Sequence, residues 1–383
     1  MPSIVPIGPF HPALKESAYY RLEVEGERIV GVDFKPGYFH KGIELLATKK
    51  SFHQNIFLCE RVCGICSDAH STCYCQAVED LIKLKIPERA RYLRSIAAEL
   101  ERMHSHLLLI AVIMHAIGFD TAFMHVLKDR ELVMHSIETL CGKRVNYGFN
   151  TIGGVRRDIS PKIKEAIKND LEKLKRSVSK IETIVNENPL IGARTKNVGV
   201  LSKEEAKNYC VVGPTARASG ISMDIRKDDP YAAYDELDWE IVVKDGCDVY
   251  SRVEVRVEEL HQSIRIIDQA LEELPDGAIF SKELSGFLQG EAYSRVEAPR
   301  GELFYYIKSD GSNIPKRVKI RTPSVMNNPS VVSMLVGDAL ADAPVIALSV
   351  DPCFACSDRV TIVDRKTGKA FDTTFEKLLK GDK

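Results

Sequence analysis

The sequence predicts a mainly helical α+β fold, a bundle of long helices with small β elements near the N-terminus and in the C-terminal third. Three patterns predict it: apolar residues at helical spacing through the middle of the chain, two alternating segments near the start, and short strand-like runs between glycine- and proline-rich loops after Gly277. Tyr20 to Phe34 reads as two strands, RLEVE and RIVGVDF, turning at Gly26. Helical patterns follow over Asp68 to Lys85 and over Pro87 to Gly118, the latter opened by proline and closed by glycine. Thr121 to Cys141, Pro161 to Asn188 and Cys247 to Leu274 continue them, and long successive helices pack as a bundle. Between Gly277 and Asp351 the clearest strand is the FYYI run.

Composition narrows the function classes. The 383 residues are 44% hydrophobic and 28% charged, ordinary globular usage with ample material for a core. Lysine and arginine total 53 against 54 acidic residues, a net charge of -1 that gives no electrostatic reason to bind nucleic acid or anionic lipid. MPSIVPIGPFHPALKES lacks a basic stretch followed by an apolar one, so no export signal is read and a cytoplasmic location is expected. The most apolar run, Leu107 to Phe119, falls short of the roughly 20 residues that cross a bilayer and reads as a buried helix, so no direct membrane span is expected.

Ten cysteines in a reducing compartment point to metal ligands, catalytic groups or buried small hydrophobes rather than disulfides. Cys63-Gly-Ile-Cys66 and Cys353-Phe-Ala-Cys356 are matching CxxC pairs near opposite ends of the chain, each able to place two thiolates on one metal. Ligand softness alone gives tetrahedral zinc or an iron-sulfur centre. The remaining cysteines, 59, 73, 75, 141, 210 and 247, lack paired spacing and read as buried small hydrophobes. His104, His115, His125 and His135 recur along helices and read as structural.

The flanking residues go further. Gly42-Ile43-Glu44, then 16 residues, then Arg61-Val62-Cys63-Gly64-Ile65-Cys66-Ser67-Asp68-Ala69-His70, with Asp351-Pro352-Cys353-Phe354-Ala355-Cys356 near the other end, resembles the large subunit of nickel-iron hydrogenases. Lys41 stands where that family's RGxE signature has arginine. Gly8 to Glu16, Gly153 to Asp158, and Asp358-Arg359 in place of a histidine resemble the energy-converting, membrane-bound branch, related to the formate hydrogenlyase large subunit and the 49-kDa subunit of respiratory complex I. Complex I homologues have lost the metal-binding cysteines, so four retained cysteines favour a hydrogenase. The resemblance divides the chain into a β-rich element over 1–50, a helical-bundle catalytic domain with a C-terminal metal-binding segment over 51–359, and an extension over 360–383.

What the resemblance implies is a nickel held by Cys63, Cys66, Cys353 and Cys356. Cys66 and Cys356 also bridge to an iron carrying cyanide and carbon monoxide, and Cys63 and Cys353 are terminal. A metal-bound thiol stays deprotonated at neutral pH, so a terminal thiolate can take the proton as dihydrogen splits, and the reaction is heterolysis in either direction. Glu16 is placed as the proton partner of Cys353, Glu44 as a carboxylate that holds magnesium or iron beside the centre, and His70 as the group orienting a bridging thiolate. Arg300 of the Pro299-Arg300-Gly301 motif overhangs the metals and meets a cyanide, Asp351 pairs with it, and Ser324 or Thr322 serves the other cyanide. Relatives have an aspartate on the long helix after the first CxxC, where this sequence offers Arg102, His104, Ser105 and His106.

Partners implied are an iron-sulfur small subunit bearing a four-iron four-sulfur cluster, and complex I-like membrane subunits that couple electron flow to proton or sodium movement. Nickel-insertion proteins and a maturation endopeptidase complete the set, with the subunit peripheral on the inner face of the membrane. The competing reading is a redox subunit of a complex I-like quinone- or sulfur-reducing complex with no hydrogen chemistry; a structural zinc protein fits the combined motifs poorly. The resemblance also predicts cleavage between Arg359 and Val360, against a permanent tail in which VTIVDRKTGKAF forms a docked hairpin turning at Thr367-Gly368. Intact-mass measurement of the nickel-loaded subunit is expected to read a terminus at Arg359; a fully active subunit ending at Lys383 refutes processing.

Overall fold

The computed structural model describes residues 2–12, 14, 16–281, 286–358, 362–364, 366–368 and 370–371. Three antiparallel strands open the chain, β1 (Ser3–Ile7), β2 (Tyr19–Glu25) and β3 (Arg28–Lys35), in the order β1-β2-β3. The predicted hairpin is β2–β3, with Gly26 at φ 62 and a bulge at Glu23/Val24. Sequence reading does not assign β1, because Pro2 and Pro6 obscure its alternation; as an edge strand it tolerates the missing donor. The outer edge of β3 is stitched to the C-terminal third. Ile29 N donates to Asp338 O at 2.9 Å, Gly337 N to Ile29 O at 2.8 Å, and Leu340 N to Glu27 O at 2.8 Å.

Two helices without predicted counterparts come next, α1 (Ile43–Ala47) and α2 (Phe52–Glu60). Ser51 and Gln54 close a reciprocal capping box on α2. The bundle follows with α3 (Ser67–Leu81), α4 (Glu88–Ala116), α5 (Asp120–Cys141) and, beyond the short ribbon β4 (Asn150–Thr151) and β5 (Gly154–Val155), α6 (Pro161–Glu187). α3 stops four residues before the predicted Lys85, where Lys83 takes φ 55 and breaks the helical hydrogen-bond ladder. α4 and α5 match their predicted spans within two residues. Four short helices, α7 (Pro189–Thr195), α8 (Lys203–Asn208), α9 (Gly213–Arg217) and α10 (Ile225–Asp228), lead to α11 (Val249–Glu272). Asp248 caps α11 by accepting from Ser251 N at 2.8 Å.

The C-terminal third is a three-stranded antiparallel sheet of β6 (Gln289–Ala298), β7 (Gly301–Asp310) and β8 (Arg317–Arg321). Leu303, Tyr305 and Ile307 of β7 alternate onto the buried face against α3, and the FYYI run falls inside this strand. The short helices α12 (Pro323–Asn327), α13 (Ser330–Leu335), α14 (Ala343–Ser349) and α15 (Phe354–Ser357) return the chain to the N-terminal elements. Beyond them β9 (Ile362–Val363) pairs with β10 (Ala370–Phe371) across a turn with Gly368 at φ 67, the hairpin read from the sequence. Arg359 and Val360 lie outside the described residues, as does most of the extension.

α4 packs on both α5 and α11, and a buried polar network runs through its seam with α11 beside the apolar core. Fully buried Arg217 donates to Glu259 and Glu297, each at 2.8 Å, and lies 3.3 Å from Asp224. Arg226 bridges Asp224 at 2.7 Å and Glu99 at 3.0 Å, while Tyr234 and Ser263 hydroxyls donate to Glu99 at 2.6 Å. Burial pushes the Glu99 carboxyl up, but Arg102 and Arg226 outweigh it and hold it at about 2. Removing one member of such a network strands the others without water. Arg217→Met is expected to cost ~3–5 kcal/mol in denaturant unfolding, whereas replacing exposed Arg144, paired with exposed Glu131, changes little.

Candidate metal centre

The two CxxC pairs meet. Cys63 and Cys66 occupy the loop between α2 and α3, Cys353 and Cys356 flank the start of α15, and all four are buried. The Cys63 and Cys353 Sγ atoms stand 3.4 Å apart across 290 residues of sequence. Cys66 sits just ahead of α3 at its N-cap position, and its hydrogen bond with Cys63 and its burial hold its thiol well above the usual range. Cys63 Sγ accepts from the backbone N–H of Ile65 and of Cys66, both at 3.4 Å, and Cys356 donates to Cys353 O at 3.3 Å. Contacts from Cys353, Cys356 and Cys66 hold Cys63 well below the usual thiol range, making it the preferred thiolate.

Local devices present these loops. Lys41 Nζ donates to Val62 O at 2.7 Å and Arg61 O at 3.2 Å, placing a cation at the C-terminal end of α2 where its carbonyls gather. The lysine thereby supplies the charge that the family signature draws from arginine. Gly301 and Gly213 let two backbones cross in near contact: a Cβ on Gly213 would lie 2.4 Å from Arg300 O, and one on Gly301 2.6 Å from Gly213 N. That crossing fixes Arg300 at the entrance to β7. Its Nε donates to Asp351 O at 2.7 Å and its Nη2 to Asp351 Oδ1 at 2.8 Å, the predicted pair.

The other predicted residues separate into two groups. Glu16 Oε1 lies 3.9 Å from Cys353 Sγ, and Oε2 accepts from Ala355 N at 2.8 Å. Burial pushes its carboxyl up against the pull of that backbone bond. Ser324 Oγ accepts from Cys353 N at 3.2 Å, and Thr322 donates to Cys356 O at 3.0 Å. Glu16, Arg300, Asp351 and Ser324 therefore gather on the thiols. His70 stands behind them, its Nδ1 at 2.7 Å from the Tyr305 hydroxyl, and burial lowers its pKa to about 4, keeping the ring neutral. Glu44 lines a cavity of ≈ 460 Å³ with Lys41, Cys356 and Asp358, yet both its oxygens have protein partners, Lys319 Nζ at 2.8 Å and Ile320 N at 3.1 Å.

The thiols touch more closely than ligands around one ion, since thiolates ~2.3 Å from a tetrahedral metal lie roughly 3.8 Å apart. Among the described residues no group of three donors already surrounds a common ion position. The donor chemistry nevertheless fits nickel and iron. Four soft sulfurs converge in a dry pocket, and buried Arg300 Nη1 and His70 Nε2 have no hydrogen-bond partner among the described residues.

Of two further residues on the long helix, sequence reasoning misses Glu101 and reads His104 as structural. Glu101 accepts from Asp68 N at 2.6 Å and Ala69 N at 2.9 Å, clamping the start of α3, and His104 lies 2.9 Å from Ile65 O inside the CxxC loop. Polar residues on an otherwise apolar helix were the only available signal. One expectation is corrected. Cys59, Cys73, Cys75 and Cys141 are buried, but Cys210 is exposed and Cys247 half-buried, both in left-handed turns at φ 53 and 65 that turn them out of the core. His115, His125 and His135 meet Asp120, Asp129 and Asp170 at the surface.

Fold and thiol cluster define the class, a mainly helical subunit with a buried four-cysteine centre drawn from both ends of the chain. Residues 116–289 and 280–359 match the family model described as respiratory-chain NADH dehydrogenase, 49 Kd subunit, and residues 41–119 match that of nickel-dependent hydrogenase. The carbon monoxide-induced hydrogenase of Rhodospirillum rubrum is 42% identical over 93% of this chain and 99% of its own. Membrane-bound hydrogenase subunit alpha of Pyrococcus furiosus is 40% identical over 98% and 91%. A chain from the structure of the membrane-bound sulfane sulfur reductase, an archaeal respiratory membrane complex, superposes with a TM-score of 0.88 at 35% identity, covering 94% of this chain and 98% of that one. The protein belongs to the family that unites the large subunits of nickel-dependent hydrogenases with the 49-kDa subunits of respiratory complexes. Among the described residues no helix is long and apolar enough to cross a membrane.

Replacing Cys63, Cys66, Cys353 or Cys356 by serine is expected to abolish nickel retention, because a hard alcohol replaces a soft thiolate. Metal analysis reads this directly, and a Cys141→Ser protein is expected to keep its nickel.

Proposed function

We propose that this chain is the catalytic large subunit of an energy-converting nickel-iron hydrogenase, producing or splitting dihydrogen. The observation that carries this reading is the four-thiol cluster joined across 290 residues beside Glu16. Family membership brings nickel and iron at the active site, and a bound nickel-iron centre supplies the heterolytic chemistry of dihydrogen. Cys63, Cys66, Cys353 and Cys356 would hold the metals. The iron would carry cyanide and carbon monoxide. The free Nη1 of Arg300 and the Ser324 hydroxyl suit cyanide, an anionic acceptor, and the Asp351 pair keeps the guanidinium in place.

The protein's share is proton handling and exclusion of water. Cys353 takes or gives the proton, and Glu16 passes it on, its raised pKa bringing the carboxyl closer to neutral working conditions. His70 braces the pocket wall through Tyr305, and Glu44 would hold magnesium or iron at the cavity rim. Electrons leave through a separate iron-sulfur small subunit, because among the described residues no second group of cysteines gathers as a ligand set. Complex I-like membrane subunits convert electron flow into ion movement, with this chain peripheral on the cytoplasmic face. Nickel-insertion proteins load the centre, and an endopeptidase then trims the extension.

A second reading, a sulfur- or quinone-reducing subunit, draws on the likeness to the sulfane sulfur reductase chain. Nickel and iron analysis of the intact complex, with infrared bands of cyanide and carbonyl, separates the two; a complex lacking nickel and those bands refutes the hydrogenase. Glu16→Gln is expected to keep the metals yet slow hydrogen/deuterium exchange by ~10²-fold or more, since the amide cannot carry the proton. Unchanged exchange removes Glu16 from the route.

A further inference from the structure

We propose, on the reading of Cys63 as a metal thiolate, that His104 is a positioning residue for that thiolate: it grips the Ile65–Cys66 peptide and thereby aims the Cys66 N–H at Cys63 Sγ. His104 lies in the interior of α4 and is buried. Its ring is held from both sides. Nε2 lies 2.9 Å from Ile65 O, and Nδ1 lies 3.0 Å from Arg130 Nη2 on α5, whose Nε also donates to the His104 carbonyl at 2.9 Å. A guanidinium only donates, so Nδ1 is the acceptor, and the proton sits on Nε2 and is donated to Ile65 O. Burial and the charge of Arg130 lower the imidazole pKa to about 3, so this tautomer persists at physiological pH.

The Ile65 carbonyl and the Cys66 N–H are two ends of one planar peptide unit. Fixing the carbonyl fixes the direction of the N–H, which reaches Cys63 Sγ at 3.4 Å beside the parallel bond from Ile65 N. A hydrogen bond accepted at the carbonyl also polarises the peptide and strengthens its N–H as a donor. Hydrogen bonds to a ligating sulfur withdraw electron density from it and raise the reduction potential of the metal it binds. Glu101, one turn before His104 on the same helix, clamps the amides of Asp68 and Ala69 just beyond the loop. The long helix thus sets both the placement of the CxxC segment and the electronic character of its first thiolate.

The test uses the intact complex carrying His104→Leu, His104→Gln or Arg130→Met, reading nickel content, the infrared bands of the diatomic ligands and the nickel midpoint potential. His104→Leu is expected to retain nickel, shift the bands to lower frequency and lower the potential. His104→Gln, whose amide can still donate to Ile65 O, is expected to restore both, and Arg130→Met to give a smaller shift of the same sign. Unshifted bands and potential in nickel-loaded His104→Leu overturn the proposal, as does nickel loss that His104→Gln fails to restore, which marks plain packing. Wild-type complex without nickel and diatomic bands overturns the hydrogenase reading and this role with it; wild-type bands with an unshifted variant overturn the role alone.

Discussion

Two thiols from residues 63–66 must meet two from residues 353–356 in a pocket closed to water, and the chain's two ends are tied together to meet that requirement. Each end supplies anchors for the other's cysteines. Glu16 accepts from Ala355 N, Phe39 N donates to Asp358 Oδ2 at 2.6 Å, and β3 continues into the 337–340 segment that precedes α14. The β3 contacts are backbone bonds, which hold position without demanding a particular neighbouring side chain, whereas the other two depend on the Glu16 and Asp358 carboxylates. The small N-terminal sheet is thus a clasp over the C-terminal cysteines rather than a separate appendage.

The pocket is also an electrostatic construction. Four sulfurs near one another are costly to ionise in a dry site, and Arg300, raised further in pKa by Asp351 and the thiols though burial opposes it, is the cation placed to offset them. Its own fixation comes from the glycine crossing at 213 and 301, a steric device, and from Asp351, an electrostatic one. Behind it the α4–α11 seam holds paired charges where an apolar seam would have packed as well. Such a seam specifies the mutual register of the two helices, and α4 is the helix whose Glu101 and His104 hold the first CxxC loop. The two faces of the thiol cluster are accordingly built differently: Glu16 approaches Cys353 from the N-terminal clasp, whereas the Cys63 loop is held by the long helix.

The long helices, the first hairpin and the FYYI strand were legible in the sequence because their signals are local: 3.6-residue or two-residue periodicity and punctuation such as Pro87 and Gly118 act over a few turns of chain. The cysteine pairs and the residues around them were equally legible, since a metal site built from short motifs leaves those motifs intact. α1, β1 and the short helices between residues 189 and 228 were not, because too few residues repeat to show a period and tertiary contacts decide their form.

What only the tertiary structure decided is which polar residues of the helices are buried and what they grip. His104, Glu101, Arg217 and Arg226 carry no mark in sequence that separates them from solvated positions; burial and partners 30 or more residues away give them their meaning. The same holds for Cys210 and Cys247, whose outward placement follows from left-handed backbone in turns, and for Glu44, whose carboxylate is claimed by Lys319 of a distant strand. The sequence alone singled out the four thiols, because their signal lies in residue type and short spacing. The orientation of those donors was decided by long-range packing, because a hydrogen bond between α4 and the CxxC loop exists only after the bundle has closed.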